Sequence, residues 1–168
     1  MTEVETAGTD IEVQIRGLML DPVTNMPIVV LKDVASELVL PIWVGVFEAN
    51  AIALELEKAA LPRPMTHDLL RNIARGLNGT VTKVVISDLR DDTFFATIWM
   101  RQGENEITLD ARPSDAIALA LRWDCPIYVA ERLLGVGKIS TLGSGQGSEE
   151  VKKWLENLNV DEAGGYTM

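Results

Sequence analysis

An order of elements that occurs twice constrains this chain more than any other feature. Residues 13–57 and 81–122 each read as strand, turn, strand, turn, strand, helix. The tetrapeptide Ala-Ile-Ala-Leu falls at 51–54 and again at 116–119, inside the helix that closes each unit. Leu38-Val39-Leu40 and Ile107-Thr108-Leu109 precede those helices at similar distances. Such self-similarity predicts a duplicated β-β-β-α unit. Strands joined by short turns pair antiparallel, and helices with one apolar side must bury that side. The expected fold is therefore α+β. Duplicated β-β-β-α units would form a mainly antiparallel sheet or half-barrel, with helices packed on one face.

The individual elements follow from local pattern. Period-two alternation marks a strand at 11–18, and apolar runs mark strands at 27–31 and 37–42. Residues 44–58 suit a helix packed on a sheet. Leu61-Pro62-Arg63-Pro64 breaks the chain. Thr66 is the expected N-cap of a second helix running to about 75, closed by Gly76 and Gly79. Strands at 81–86, 93–100 and 106–110 are separated by turns at 88–92 and 102–105. Pro113 and Ser114 open a third helix to about 122, and 126–129 form a last strand. The expected division is a disordered lead at 1–9, one domain at 10–135, a Gly/Ser linker at 136–147, a helix at 148–159 and a disordered tail at 160–168. Val151, Trp154, Leu155 and Leu158 make the amphipathic stripe of that last helix.

Composition removes several classes. At 168 residues the chain is one domain long. Its single cysteine, Cys125, rules out an intrachain disulfide and reads more simply as a small buried residue than as a nucleophile. No segment approaches the ~18 apolar residues that span a bilayer. The polar, acidic start is unlike a signal peptide, so the cytoplasm is the expected compartment. A net charge of −10 repels polyanions at long range. Nucleic-acid binding would then need a local basic cleft, or a divalent cation held by carboxylates.

No P-loop, dinucleotide fingerprint, HExxH, CxxC pair or nucleophile elbow is present. Polar residues at element ends remain. Arg63-Pro64-Met65-Thr66-His67-Asp68 puts the only histidine in the first turn of a helix, where unpaired N–H groups favour phosphate. The plainer reading has Asp68 complementing the helix dipole and His67 on the surface. Asp110-Ala111-Arg112-Pro113-Ser114-Asp115 is a second strand-to-helix junction. Arg112 could fork a phosphate, and Asp110 and Asp115 could hold a divalent cation; the plainer reading pairs Arg112 with a local carboxylate. Glu48 stands near the start of an apolar helix and, if buried, needs Arg63, His67 or Arg112 as partner. Aligning the two tetrapeptides sets Glu48 near Pro113 or Ser114, which would bring Glu48 and Arg112 to equivalent corners beside a shared axis. Ser87-Asp88-Leu89-Arg90-Asp91-Asp92-Thr93 reads as an exposed hairpin turn rather than a metal loop. The four tryptophans lie in apolar patterns that suit core packing more than base stacking.

Four blocks in order carry a resemblance: Pro41-Ile42-Trp43-Val44-Gly45 with Glu48 and Ala51; Arg63 to Leu70; Asp91-Asp92-Thr93-Phe94-Phe95-Ala96; and Asp110 to Ala120. Together they resemble the bifunctional nuclease domain over about residues 11–135. The resemblance implies an α+β fold built on a duplicated strand-and-helix unit, a homo-oligomer (dimer or trimer), and cleavage of both DNA and RNA. It carries Glu48, His67, Asp68, Arg112, Ser114 and Asp115 as candidate catalytic residues.

Two functions follow. In the first, the chain hydrolyses phosphodiester bonds of a nucleic-acid substrate. His67 would be the general base and Arg112 would stabilise phosphate charge. A divalent cation, Mg2+ or Mn2+, would sit on carboxylates drawn from Glu48, Asp68, Asp110 and Asp115. In the second, the chain is a non-enzymatic oligomeric module that binds a protein or small ligand, and the same polar residues form a structural network.

Overall fold

The computed structural model describes residues 8–134. The expectations for 1–7, for the linker, for the 148–159 helix and for the tail lie outside the described residues. The remainder is an α+β fold with one seven-stranded sheet and three α-helices.

The elements are β1 (Asp10–Leu20), β2 (Pro27–Asp33), β3 (Val39–Trp43), α1 (Val46–Leu56), α2 (Thr66–Gly76), β4 (Gly79–Arg90), β5 (Thr93–Gln102), β6 (Asn105–Ala111), α3 (Pro113–Trp123) and β7 (Ile127–Ala130). A 3-10 turn, Glu131–Leu133, follows. The sheet order is β3-β2-β1-β7-β4-β5-β6, so the sheet is open, with β3 and β6 at its edges. β1-β2-β3 and β4-β5-β6 are antiparallel meanders. β7 joins them, antiparallel to β1 and parallel to β4.

One face of the sheet carries Val13, Val29, Leu31, Val84, Ile86, Ala96, Ile98, Ile127 and Val129. They form a single core with Ala49 and Ile52 of α1 and with Ala116 to Ala120 of α3. β2 is buried on both faces: Ile28 and Val30 are as enclosed as Val29 and Leu31. That explains its unbroken apolar run, where a half-buried strand would alternate. α1 and α3 pack together, and α2 packs on α3 and β4.

Three expectations about local structure are corrected. The N-cap of α2 is Met65, not Thr66, and Asp68 accepts a hydrogen bond from the Met65 N–H at 2.9 Å. An acidic residue in the third helical position thus does the work expected of a threonine in the cap. α2 ends through Asn78, whose φ of 58° takes the left-handed region expected of a glycine. The charged run at 87–92 is not all turn. β4 extends to Arg90, and the reversal is Asp91-Asp92 alone, with φ of 48° and 60°. Two positive φ values in a two-residue loop are what a type I′ hairpin demands, and aspartate tolerates them.

Asp88, freed from the turn, binds Arg90 Nε at 2.5 Å and Arg132 Nη2 at 2.9 Å. The Arg90 and Arg132 hydrogen bonds outweigh burial and hold its carboxyl at about 2, against an ordinary 3.8. A carboxyl pKa lowered by folding adds stability that is complete above the ordinary value and vanishes as pH falls through the folded one. Asp88→Asn is therefore expected to cost about 1 kcal/mol at pH 7, reduced by the exposure of both arginines. In urea titrations the gap to the parent should narrow between pH 4 and 2. A gap that stays constant across that window would mean that the aspartate's charge contributes nothing.

A candidate active site at two helix starts

The three helices share a local design. Each carries an acidic residue at its third position: Glu48 in α1, Asp68 in α2 and Asp115 in α3. A carboxylate in the first turn is favoured by the unpaired N–H groups and the helix dipole. Here each of the three also grips an arginine.

Arg112 is the N-cap residue of α3, followed by Pro113 at the first helical position. Its Nε donates to Asp115 Oδ2 at 2.8 Å, and its Nη1 donates to Glu48 Oε1 at 3.1 Å. One guanidinium is thus clamped between the third residues of two helices. Asp115 holds His67 with its other oxygen, Oδ1 to Nε2 at 2.9 Å. Glu48, Arg112, Asp115 and His67 form one continuous polar chain across α1, α3 and α2. Burial opposes ionisation of Asp115, but hydrogen bonds from Arg112 and His67 outweigh it and hold the carboxyl below its usual range. Asp115 first and Glu48 second bind the Arg112 proton more firmly than usual.

The candidate residues divide as follows. Glu48 has Arg112 as its partner, not Arg63 or His67. Its counterpart by helix position is Asp115, and that of Arg112 is Gly45, so the pairing drawn from the repeated tetrapeptide is displaced. Ala51 is the sixth residue of α1 and Ala116 the fourth of α3, so the two tetrapeptides sit out of phase by two. His67 is not on the surface; it is buried against Asp115. Asp68, its neighbour, faces the other end of α3 and accepts from Arg122 Nε at 2.9 Å. Ser114 is buried and lines a cleft. Asp110 lies on β6 opposite Thr97, while its neighbour Leu109 sits opposite the core residue Ile98. It therefore points away from the helices.

Asp68, Asp110 and Asp115 do not converge. Among the described residues no group of three His, Cys, Asp or Glu is arranged to hold a metal ion. The two carboxylates that do converge are both committed to Arg112, so the residues here do not fit a resident cation.

The cleft has a volume of about 330 Å3 and is lined by Trp43, Gly45, Thr93, Phe94, Arg112 and Ser114, among others. The start of α1 and the start of α3 both open onto it. The Arg112 side chain is 64% exposed, so it keeps a free face despite its two partners. Phe47, the residue before Glu48, is 87% exposed. No local signal marks this exposure, since an aromatic in an apolar helix has the pattern of a core residue. Trp43 is anchored by its Nε1, which donates to Asp21 Oδ2 at 2.8 Å.

Gly45 leaves room for the Glu48 side chain. A Cβ there would collide with the Glu48 carboxylate, which folds back over the helix start. The obstructing atoms end a flexible side chain, so Gly45→Ala should fold normally but push Glu48 off Arg112. The expected outcome is an unchanged thermal midpoint and, in a structure of the variant, a broken Glu48–Arg112 contact with the Arg112–Asp115 contact kept. A midpoint lowered by several degrees would show a structural role instead.

Cys125 is discounted as a nucleophile by its setting. Burial pushes its thiol up to about 11, where almost none is thiolate at neutral pH.

Known proteins resemble the chain along this same stretch. The profile of the bifunctional nuclease domain matches residues 29–141. An uncharacterised protein of Mycobacterium tuberculosis (strain H37Rv) is 41% identical over 123 residues, covering 73% of each chain. Bifunctional nuclease 1 of Oryza sativa subsp. indica is 28% identical over 116 residues, 67% of this chain and 35% of that one. Bifunctional nuclease 1 of Arabidopsis thaliana is 27% identical over 127 residues, 68% of this chain and 39% of that one. The chain thus spans little more than a third of the plant proteins. The matched stretch contains every residue of the Glu48–Arg112–Asp115–His67 chain, and the protein belongs to the bifunctional nuclease domain family.

Proposed function

We propose that the chain hydrolyses phosphodiester bonds of DNA and RNA at the cleft between the starts of α1 and α3. The observation that carries this reading is Arg112. Its guanidinium is fixed by two carboxylates yet exposed at a cleft onto which two helix N-termini open. On a chain with net charge −10, and beside two carboxylate partners and Asp92, the exposed guanidinium and the two helix starts are the donors that the cleft offers a phosphate.

The roles we assign are these. Arg112 offers its free face to a non-bridging phosphate oxygen and stabilises the charge that builds there during attack. Glu48 and Asp115 hold the fork in place. His67 is buried and lies outside the cleft lining, behind Asp115; with its Nε2–H donating to Asp115, we assign Nδ1 as the proton acceptor, and Asp115 stabilises the imidazolium once the proton arrives. Ser114 lines the cleft beside Arg112 and contributes a hydroxyl to the phosphate. Phe47 and Trp43 supply stacking surface for bases on either side. No step here passes through a metal ion.

We further read the two meander-plus-helix halves as copies of one unit, which accounts for a site built where two helix starts meet. The cytoplasm is the proposed compartment; among the described residues no helix is long and apolar enough to cross a membrane. Met65, Leu69, Ile73 and Leu77 are exposed at four-residue spacing along α2, which supports a homo-oligomer.

A second reading also has an observation behind it. Glu48, Arg112, Asp115 and His67 satisfy one another, as a structural network in a non-enzymatic binding module would. The open cleft beside Arg112 favours the enzyme. The deciding test is cleavage of labelled single-stranded DNA and RNA by highly purified protein with magnesium, with manganese and with chelator, beside His67→Ala. Cutting that His67→Ala lacks supports the nuclease. Equal cutting by both places the reaction elsewhere, and no cutting by the parent favours the binding module.

A further inference from the structure

A second cavity, of about 310 Å3, lies at the opposite end of the α1/α3 pair. It is walled by Leu54 and Glu55 at the end of α1, the 61–64 loop, Asp68 and Arg71 of α2, and Arg122 at the end of α3. Its polar lining includes three arginines, 63, 71 and 122, on a chain that is strongly acidic overall.

The three are not equally committed. Arg122 is paired with Asp68 and donates to the carbonyls of Ala118 and Ala51. Glu55 lies 3.5 Å from Lys58. The carboxylates of the wall are therefore engaged; among the described residues neither Arg63 nor Arg71 forms an ion pair, though the Arg71 charge helps to hold Asp68 ionised. Arg71 donates from Nη1 to the Arg122 carbonyl at 3.4 Å, but its Nε is buried without a hydrogen-bond partner. Buried guanidinium donors are normally satisfied, and a donor left unmet is costly. That Nε is enclosed and does not itself face the cavity; a cavity walled by three arginines, two of them outside any ion pair among the described residues, suits an anion with several acceptor oxygens.

We propose that this cavity is a phosphate-binding site distinct from the cleft at Arg112, with Arg63 and Arg71 as the phosphate-contacting residues and Arg122 as their fixed support. Its ligand is a phosphate group, carried either by the nucleic-acid strand or by a free phosphate ester; the strand arm rests on the nuclease reading. α1 and α3 have 11 residues each. At 1.5 Å per residue the two sites stand about 15 Å apart along the helix pair, a span that a short oligonucleotide bridges and a mononucleotide does not.

The test is calorimetric titration of inorganic phosphate, thymidine monophosphate and a short oligothymidylate into the parent, Arg63→Gln/Arg71→Gln and Arg112→Ala. Urea midpoints of each variant confirm folding. Inorganic phosphate should bind the parent, weaken at least roughly tenfold in the double variant, as loss of charge-assisted hydrogen bonds requires, and remain bound to Arg112→Ala. If the strand is the ligand, the oligonucleotide weakens in both variants. If a free ester is the ligand, thymidine monophosphate follows inorganic phosphate and the oligonucleotide gains nothing over it. Equal phosphate affinity in parent and folded double variant, or no phosphate binding by the parent at millimolar concentration, overturns the proposal. Phosphate binding that depends on Arg63 and Arg71 in a protein that cuts nothing would keep this site and reject the nuclease.

Discussion

Arg112→Ala is expected to lower phosphodiester cleavage about 100- to 1,000-fold, the loss typical of removing one preorganised donor from a developing negative charge. The effect should fall on kcat more than on KM, because the free face of the guanidinium matters most when the phosphate gains charge. Stability should move little, since the side chain is largely exposed. Arg112→Lys should recover only part of the loss. A lysine supplies a point charge but not a fork able to hold Glu48 and Asp115 while facing a phosphate. Single-turnover kinetics on a labelled oligonucleotide measures this directly. Parent-like rates in purified Arg112→Ala would remove the cleft from the mechanism.

The second large effect belongs to stability. Arg122 has a side chain only 1% exposed. It ties three helices together: Nε to Asp68 of α2, Nη2 to the Ala51 carbonyl of α1, and Nη1 to Ala118 of its own helix. Arg122→Ala removes one donor each from Asp68 and from two carbonyls in a water-poor site. Breaking a buried ion pair from one side costs about 3–5 kcal/mol. For a domain of this size that lowers the midpoint by about 10 °C or more. Asp68→Asn should cost less, since an amide oxygen can still accept from Arg122. The hydrogen bonds from the Met65 N–H and Arg122 outweigh burial and keep Asp68 ionised below its usual range. Its contribution is therefore present at neutral pH and lost as pH falls below the ordinary carboxylate value. A midpoint within a degree or two of the parent for Arg122→Ala would show that the helix layer does not depend on this hub.

Much of this was legible in the chain itself. Period-two and helical patterns placed all seven strands and all three described helices to within a few residues. The Asp110 to Asp115 block pointed to the helix start where Arg112 meets Glu48 and Asp115. Periodicity shows which side of a helix is apolar but not what covers it. Leu69, Ile73 and Leu77 of α2 look like any buried stripe, yet they are exposed. The pairing of Glu48 with Arg112 depends on how two helices cross, and no local signal encodes that. The tetrapeptide alignment brought these residues to the right neighbourhood through the wrong correspondence, because the repeat is out of phase with the helix starts. No local signal singles out Arg71. Its unmet donor emerges only when α1, α2 and α3 close around it.

β7 has a consequence for how the protein is made. It is four residues long, yet it alone joins the two meanders, and Asp10 pairs with Ala130 across nearly the whole described chain. During synthesis, each meander can collapse as it leaves the ribosome. β1 and β4 must then wait with bare edges until Ile127–Ala130 emerges. Closure of so long a loop is slow and comes last. Until that step the nascent chain is two half-sheets, each exposing an unpaired strand, and any pause in translation just before Ile127 prolongs the interval in which those edges can find the wrong partner.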